Sequence, residues 1–286
     1  MLSLLRPLNF VLFLVGIALG GLLASGAALG EADVPALILA MLSGALIGGA
    51  ANAQNDAYDL AIDRRNRPDR ALPAGRATVR AAWVVWGGLS AAGILLGLAV
   101  SVLHGAIALV SVGLLWAYNA RLKRLPVVGN VAVAVVLGLA LLYGGLATGA
   151  GPGAVLVAGI VFAVLTTLAR EMAKDVEDAP GDRAEGARTL PVVWSLRGVA
   201  GAALVLTALC VLLLPTPLLA GLERSFLLLV LPAAGALLRA TWHLGLAAAA
   251  PSETEPARRA GQASRWLKAA MVAGMLALAL EVGQLL

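Results

Sequence analysis

The chain has 286 residues, 60% of them hydrophobic and only 13% charged, with a mean hydropathy of +0.92. Soluble chains run at about 45–50% apolar and about 25% charged, so a water-soluble globular protein is excluded. The net charge of +5 could suit a nucleic-acid binder, but the basic residues sit in short loops between apolar runs, where they set membrane topology; no nucleic-acid partner is expected.

Nine apolar runs are long enough to approach a bilayer crossing, which takes about 20 residues. They lie near 8–29, 35–57, 81–101, 103–119, 127–148, 153–173, 198–219, 225–247 and 267–286. All are expected to be helices, because a lipid-exposed backbone must satisfy its own hydrogen bonds and no alternating barrel pattern is present. The first run follows Arg6, exceeds the apolar core of a signal peptide, and is followed by many like it, so it reads as a membrane helix. The fold class is all-α: a polytopic membrane protein forming one domain over 1–286.

The second span emerges into Asn52, Asn55, Asp56, Asp59 and Asp63. Asn52 and the three aspartates are spaced by four, three and four. At about 100° per residue they keep within roughly ±40° of one line, a single helix face with Asn55 at its edge. Carboxylates stacked in this way repel one another unless a cation lies between them. Hard oxygen ligands suit Mg²⁺, which usually takes one or two carboxylates plus substrate phosphate and water. Arg64, Arg65, Arg67 and Arg70 follow, suited to countering phosphate, and Pro68 should end the helix.

After the fourth span comes a polar island, Tyr118-Asn119-Ala120-Arg121-Leu122-Lys123-Arg124, with Asn130 beyond. Topology alone accounts for a short basic loop; the other reading is that Lys123, with Tyr118, reaches a pocket for a leaving diphosphate. The sixth span leads into Glu171, Asp175, Asp178 and Asp182, again spaced four, three and four, with Arg170 and Lys174 interleaved. Pro180-Gly181 is expected to break the helix, leaving Asp182 on a turn. Two such banks in matching positions are more specific than either alone, and could hold a pair of Mg²⁺ ions around one diphosphate.

The remaining polar residues are less informative. Cys210 lies alone in an apolar run, so an intramolecular disulfide is excluded, and His104 and His243 have no partner at ligand spacing. Trp83, Trp86, Trp116, Trp194, Trp242 and Trp266 fall near span ends, as interface anchors do. Glu281, inside the last span, reads either as a functional group or as a helix-end side chain reaching the interface. With the N-terminus inside, all but Arg224 and Arg239 of the 21 Lys and Arg fall on the inner side or at its boundary. The N-terminus and both acidic motifs are therefore expected to be cytoplasmic, in an integral cell-membrane protein.

The first motif, running on into Asn66-Arg67-Pro68-Asp69-Arg70-Ala71-Leu72-Pro73-Ala74-Gly75, resembles the signature of the UbiA superfamily of intramembrane prenyltransferases, and the likeness covers essentially the whole chain. Arg170-Glu171-x-x-Lys174-Asp175-x-Glu177-Asp178-x-x-Gly181-Asp182 with Gly186-Ala187-Arg188-Thr189-Leu190-Pro191 is most similar to the digeranylgeranylglyceryl phosphate synthase subfamily. The resemblance implies nine helices around a central cavity with a cytoplasmic polar cap. It implies Mg²⁺ on the catalytic residues Asp56, Asp59, Asp63, Asp175, Asp178 and Asp182. Diphosphate contacts are expected from Asn52, Asn55, Arg67, Tyr118, Lys123 and Lys174. It further implies Mg²⁺-dependent transfer of a geranylgeranyl group from its diphosphate to the glycerol hydroxyl of geranylgeranylglyceryl phosphate.

The expected partners are thus a prenyl diphosphate donor, a lipid-soluble or amphiphilic acceptor and the bilayer, with no obligatory protein partner. An aromatic or tetrapyrrole acceptor is the alternative, and a lipid or ion transporter a remote one, since transporters place acidic groups near mid-bilayer. Ala71, where a Pro is common, and Ala179-Pro180 before Gly181 depart from the family pattern.

Overall fold

The computed structural model describes residues 6–26, 29–31, 33–184, 189–219, 222–251 and 254–284, and every regular element among them is helical. In chain order the α-helices are α1 (Pro7–Ser25), α2 (Val34–Tyr58), α3 (Leu60–Asn66), α4 (Val79–Val100), α5 (Val102–Ala120) and α6 (Val128–Ala147). They continue with α7 (Ala154–Ala184), α8 (Leu190–Val193), α9 (Leu196–Leu213), α10 (Thr216–Leu219), α11 (Phe226–Leu229), α12 (Leu231–Ala249) and α13 (Thr254–Gln284). A short 3₁₀ turn covers Leu122–Arg124.

The all-α, multi-pass membrane reading holds. Seven helices, α2, α4, α5, α6, α7, α9 and α13, are long and apolar enough to cross a membrane. By that measure the predicted count of nine is not confirmed. The first and eighth predicted spans are occupied by α1 and by α12, which carries Arg239 and His243.

Helix extends into two of the predicted loops. The sixth span is predicted at 153–173 with a helix break expected at Pro180, yet α7 runs unbroken to Ala184, and α13 begins at Thr254 rather than near 267. Apolar content marks where the chain meets lipid, whereas Ala, Glu, Lys and Arg carry a helix onward into water. At 1.5 Å per residue, the 31 residues of α7 extend about 46 Å, beyond a hydrocarbon core of about 30 Å.

The chain folds as two compact units, residues 1–121 with 140–151, and residues 122–139 with 152–286. In the first, α2 packs against α1, α4 and α5. Its core groups Ile17, Leu37, Ala40, Ala140, Tyr143 and Ala147. Helices α1 and α6 cross backbone to backbone. A Cβ at Gly20 would overlap the Leu141 carbonyl, and one at Gly144 the Ile17 carbonyl, so small residues are required there. Several buried polar groups are paired. Ser43 Oγ donates to Gly93 O (2.7 Å) and lies 2.8 Å from Tyr143 Oη, while His104 joins Ser101 Oγ (2.8 Å) and Tyr143 O (3.1 Å). His104 is a structural residue, as its isolation in the sequence suggested.

In the second unit, α7 packs against α9 and α13, and α12 against α9 and α13. Arg239 lies over the Trp266 ring at 5.8 Å, which accounts for a cation midway along α12. Glu281, inside α13, is buried within the protein. It is 2% exposed and accepts from Ser225 Oγ at 3.0 Å. An apolar cavity of about 420 Å³, lined by Val157, Phe162, Leu214, Phe226 and Leu278 among others, opens between α7, α9, α10, α11 and α13.

Candidate active site

The first acidic motif leaves the membrane on α2, whose buried Gly48, Gly49, Ala50 and Ala53 let neighbouring helices approach. Asp56 and Asp63 are 3% and 5% exposed, and buried carboxylates require charge partners. Asp56 is ion-paired with Arg6, from the start of α1. Arg70 Nη1 lies 2.5 Å from Asp63 Oδ2 and 3.6 Å from Asp56 Oδ1. One guanidinium nitrogen thus stands between two carboxylates.

Arg70 is placed there by the turn that follows it. Ala71 and Leu72 are buried against Ala53 and Ala82, with Gly75 in the left-handed region (φ +71°) turning the chain toward α4. Asn52 Oδ1 accepts from Asn9 Nδ2 at 3.2 Å. Behind the acidic face, Asn119 Nδ2 donates to Gln54 Oε1 (3.0 Å) and Ala51 O (3.1 Å), tying α5 to α2.

The single helix face expected here is interrupted. The helix α2 ends at Tyr58, and Asp59 takes φ −92° and ψ 6°, the bridge region. The ladder is still carried across, because Asp59 N–H donates to Asn55 O (2.9 Å) and Asp63 N–H to Asp59 O (2.8 Å). Asp is a poor helix-interior residue, and three in-phase carboxylates add repulsion that a local change of direction relieves. Arg67, predicted to meet diphosphate, caps α3 with an exposed side chain, its backbone driven out of the helical region by Pro68 as expected. Arg6 and Arg70 are the cations that pair with the acids. Arg70 belongs to the signature segment and could have been singled out, whereas Arg6 had only a topological role in the sequence.

The second motif shows the opposite correction. The helix α7 continues through Pro180 to Ala184, so Asp182 lies on the helix rather than on a turn. Proline's fixed φ is helical, and the lost bond is the single one to the Val176 carbonyl in the last two turns of α7. Glu171, Asp175, Asp178 and Asp182 therefore share one face.

Asp175 Oδ2 accepts from Asn130 Nδ2 at 2.7 Å. Glu171 takes both interleaved cations, Arg170 at 2.7 Å and Lys174 at 3.3 Å. Asp178 is exposed; Asp182 and Lys123, the latter on the 3₁₀ turn, are half-buried, as are Asn55, Asp59 and Tyr118 in the first unit. Gly186, Ala187 and Arg188 of the second signature, and the side chains of Arg65 and Asn66, lie outside the described residues.

Among the described residues no three carboxylate, imidazole or thiolate side chains converge into a closed metal cage. The donor chemistry nevertheless fits Mg²⁺, which needs only one or two protein carboxylates when phosphate and water complete its shell. The Arg70 nitrogen shows that the gap between Asp56 and Asp63 admits a cation.

Long apolar helices thus carry two acidic banks at their ends, the arrangement of a multi-pass membrane protein. The chain belongs to the UbiA prenyltransferase family, whose profile matches residues 10–255, and it is an enzyme that transfers prenyl groups. Over 288 aligned residues it is 40% identical to the digeranylgeranylglyceryl phosphate synthase of Natronomonas pharaonis, covering 100% of this chain and 96% of the relative. The enzyme of the same name from Methanopyrus kandleri is 37% identical, with 96% of each chain covered.

Among solved structures, one described as giving insights into digeranylgeranylglyceryl phosphate synthase in membranes superimposes with a TM-score of 0.82 at 26% identity, over 99% of this chain and 97% of that one. A UbiA homolog from Archaeoglobus fulgidus, bound to DMAPP and Mg²⁺, shares the fold with a TM-score of 0.70 at 21% identity, over 95% and 98% of the two chains.

Proposed function

We propose that this enzyme transfers a geranylgeranyl group from its diphosphate to the free glycerol hydroxyl of geranylgeranylglyceryl phosphate, a step in ether-lipid synthesis. The observation that carries the choice of acceptor is the 40% identity, over the whole chain, to a synthase of that name. Asp56, Asp59, Asp63, Asp175, Asp178 and Asp182 would hold Mg²⁺, which when bound neutralises charge growing on the departing diphosphate.

The chain's own residues supply the rest. Asn52, Asn55, Arg67, Tyr118, Lys123 and Lys174 serve as diphosphate contacts, donors placed before charge develops. Breaking the C–O bond leaves an allylic cation on the prenyl group and the electron pair on the diphosphate. The acceptor hydroxyl oxygen attacks that carbon, and its proton leaves with the diphosphate or to water. A strong base is unnecessary when ionisation leads, in keeping with His104 and Cys210 being buried among structural partners. Apolar helix walls exclude water that would quench the cation. Lys and Arg placement supports a cytoplasmic N-terminus and active site.

A product assay tests the reading. Purified protein is given geranylgeranyl diphosphate and Mg²⁺ with either geranylgeranylglyceryl phosphate or 4-hydroxybenzoate. The expected product is the doubly prenylated glyceryl phosphate; transfer to the aromatic compound alone would replace the ether-lipid assignment with the aromatic one.

A further inference from the structure

The corner between the 3₁₀ turn Leu122–Arg124 and α6 is built under strain. Val127 has φ +66°, a left-handed conformation that a β-branched residue adopts rarely. Val128 N–H donates to Pro126 O at 2.7 Å, closing a three-residue γ-type turn of the strained kind. Immediately afterwards Gly129 is pressed onto the preceding turn. A Cβ there would lie 3.0 Å from the Leu122 carbonyl oxygen and 3.1 Å from Lys123 Cα. One residue further, Asn130 Nδ2 reaches Asp175 Oδ2 at 2.7 Å, across 45 residues of sequence. Strain of about 1–3 kcal/mol persists only where the surroundings impose it, and it gathers at functional sites.

We propose that Asn130 is a positioning residue for Asp175, and that the Val127 turn exists to deliver it. The amide holds one carboxylate oxygen, fixing the rotation of the group and leaving the other oxygen to meet a divalent cation. Partners of this kind orient ligating carboxylates, and losing one typically costs 10–100-fold in metal affinity. A plain tie between α6 and α7 would need neither a charged acceptor nor an amide at this spot. The inference rests on the reading of Asp175 as a metal-binding residue.

The test measures Mn²⁺ binding to the purified full-length protein by electron paramagnetic resonance, for the wild type, Asn130→Ala, Asn130→Leu, Asp175→Ala and the Asn130→Ala/Asp175→Ala double variant. Asn130→Leu keeps the branched side-chain shape and removes both polar atoms of the amide, and thermal unfolding in detergent reports on folding. Both Asn130 variants should weaken Mn²⁺ by about 10-fold or more, with the double variant no weaker than Asp175→Ala. In turnover, KM for Mg²⁺ should rise more than kcat falls.

If Asp175→Ala weakens Mn²⁺ while both Asn130 variants bind normally, positioning by Asn130 is refuted and the metal reading stands. If Asp175→Ala binds as the wild type does, the metal reading fails and takes the proposal with it. An undiminished Asn130 effect in the Asp175→Ala background would show that Asn130 acts elsewhere, which also refutes it.

Discussion

Replacing Arg70 by Met should make the metal-free protein less stable and its metal binding tighter. Arg70 Nη1 lies within 4 Å of both Asp56 and Asp63, whose side chains are only 4% and 7% exposed, against 19% for Arg70 itself. Removing one partner of a buried ion pair costs about 3–5 kcal/mol. Partial solvent access at Arg70, and the continued pairing of Asp56 with Arg6, bring the expected loss to about 2–3 kcal/mol. At roughly 2–4 °C per kcal/mol this lowers Tm by about 5–10 °C.

A divalent ion entering the wild type must displace the guanidinium, whereas in Arg70→Met it meets unpaired carboxylates. A difference of about 2 kcal/mol corresponds to roughly 30-fold tighter ion binding. Thermal unfolding in detergent, with Mg²⁺ titrated from zero, measures both effects, since stabilisation follows RT ln(1 + [L]/Kd). A variant with wild-type Tm without metal and the same Mg²⁺ dependence would refute the idea that Arg70 occupies a cation position.

Further outcomes are expected. Asp59→Ala and Asp178→Ala should each lower kcat/KM by 100-fold or more, about 2.7 kcal/mol of transition-state stabilisation; full activity in both would end the two-bank metal scheme. Gly144→Ala should cost about 3 kcal/mol of stability by pushing α1 from α6, whereas Gly113→Ala, with nothing within 4 Å of its Cβ, should leave Tm unchanged or raised. Pro180→Ala should raise Tm and keep activity, because it restores one helical bond; a large loss of kcat would mean that the proline shapes the reach of Asp182. Val127→Gly should relieve the left-handed strain and raise Tm by a few degrees at most, since glycine's extra unfolded-state entropy offsets much of the gain.

The helix positions were legible because lipid contact imposes apolar runs, and the acidic faces because helical phase is a local property. Where the helices end was not, since charged residues at 174–184 and 254–266 stop an apolar pattern without stopping a helix. Asp59 and Pro180 exchanged the roles that local rules assigned them. A carboxylate that helix geometry accepts became a break, and a proline near a helix end was carried through.

The site's partners were hidden for a different reason. Arg6–Asp56, Asn130–Asp175 and Asn119–Gln54 join residues 50, 45 and 65 apart, and no window of sequence spans them. Arg67 and Arg70 are chemically alike and three residues apart. What decides between them is the burial of Ala71 and Leu72, which fixes the turn on which Arg70 stands.

The crossing of α1 and α6 at Gly20 and Gly144 carries a consequence for traffic. At those two points no side chain stands between the main chains to swing aside, so the contact does not open by rotamer changes. A prenyl chain would therefore find no side-chain gate at these two contacts.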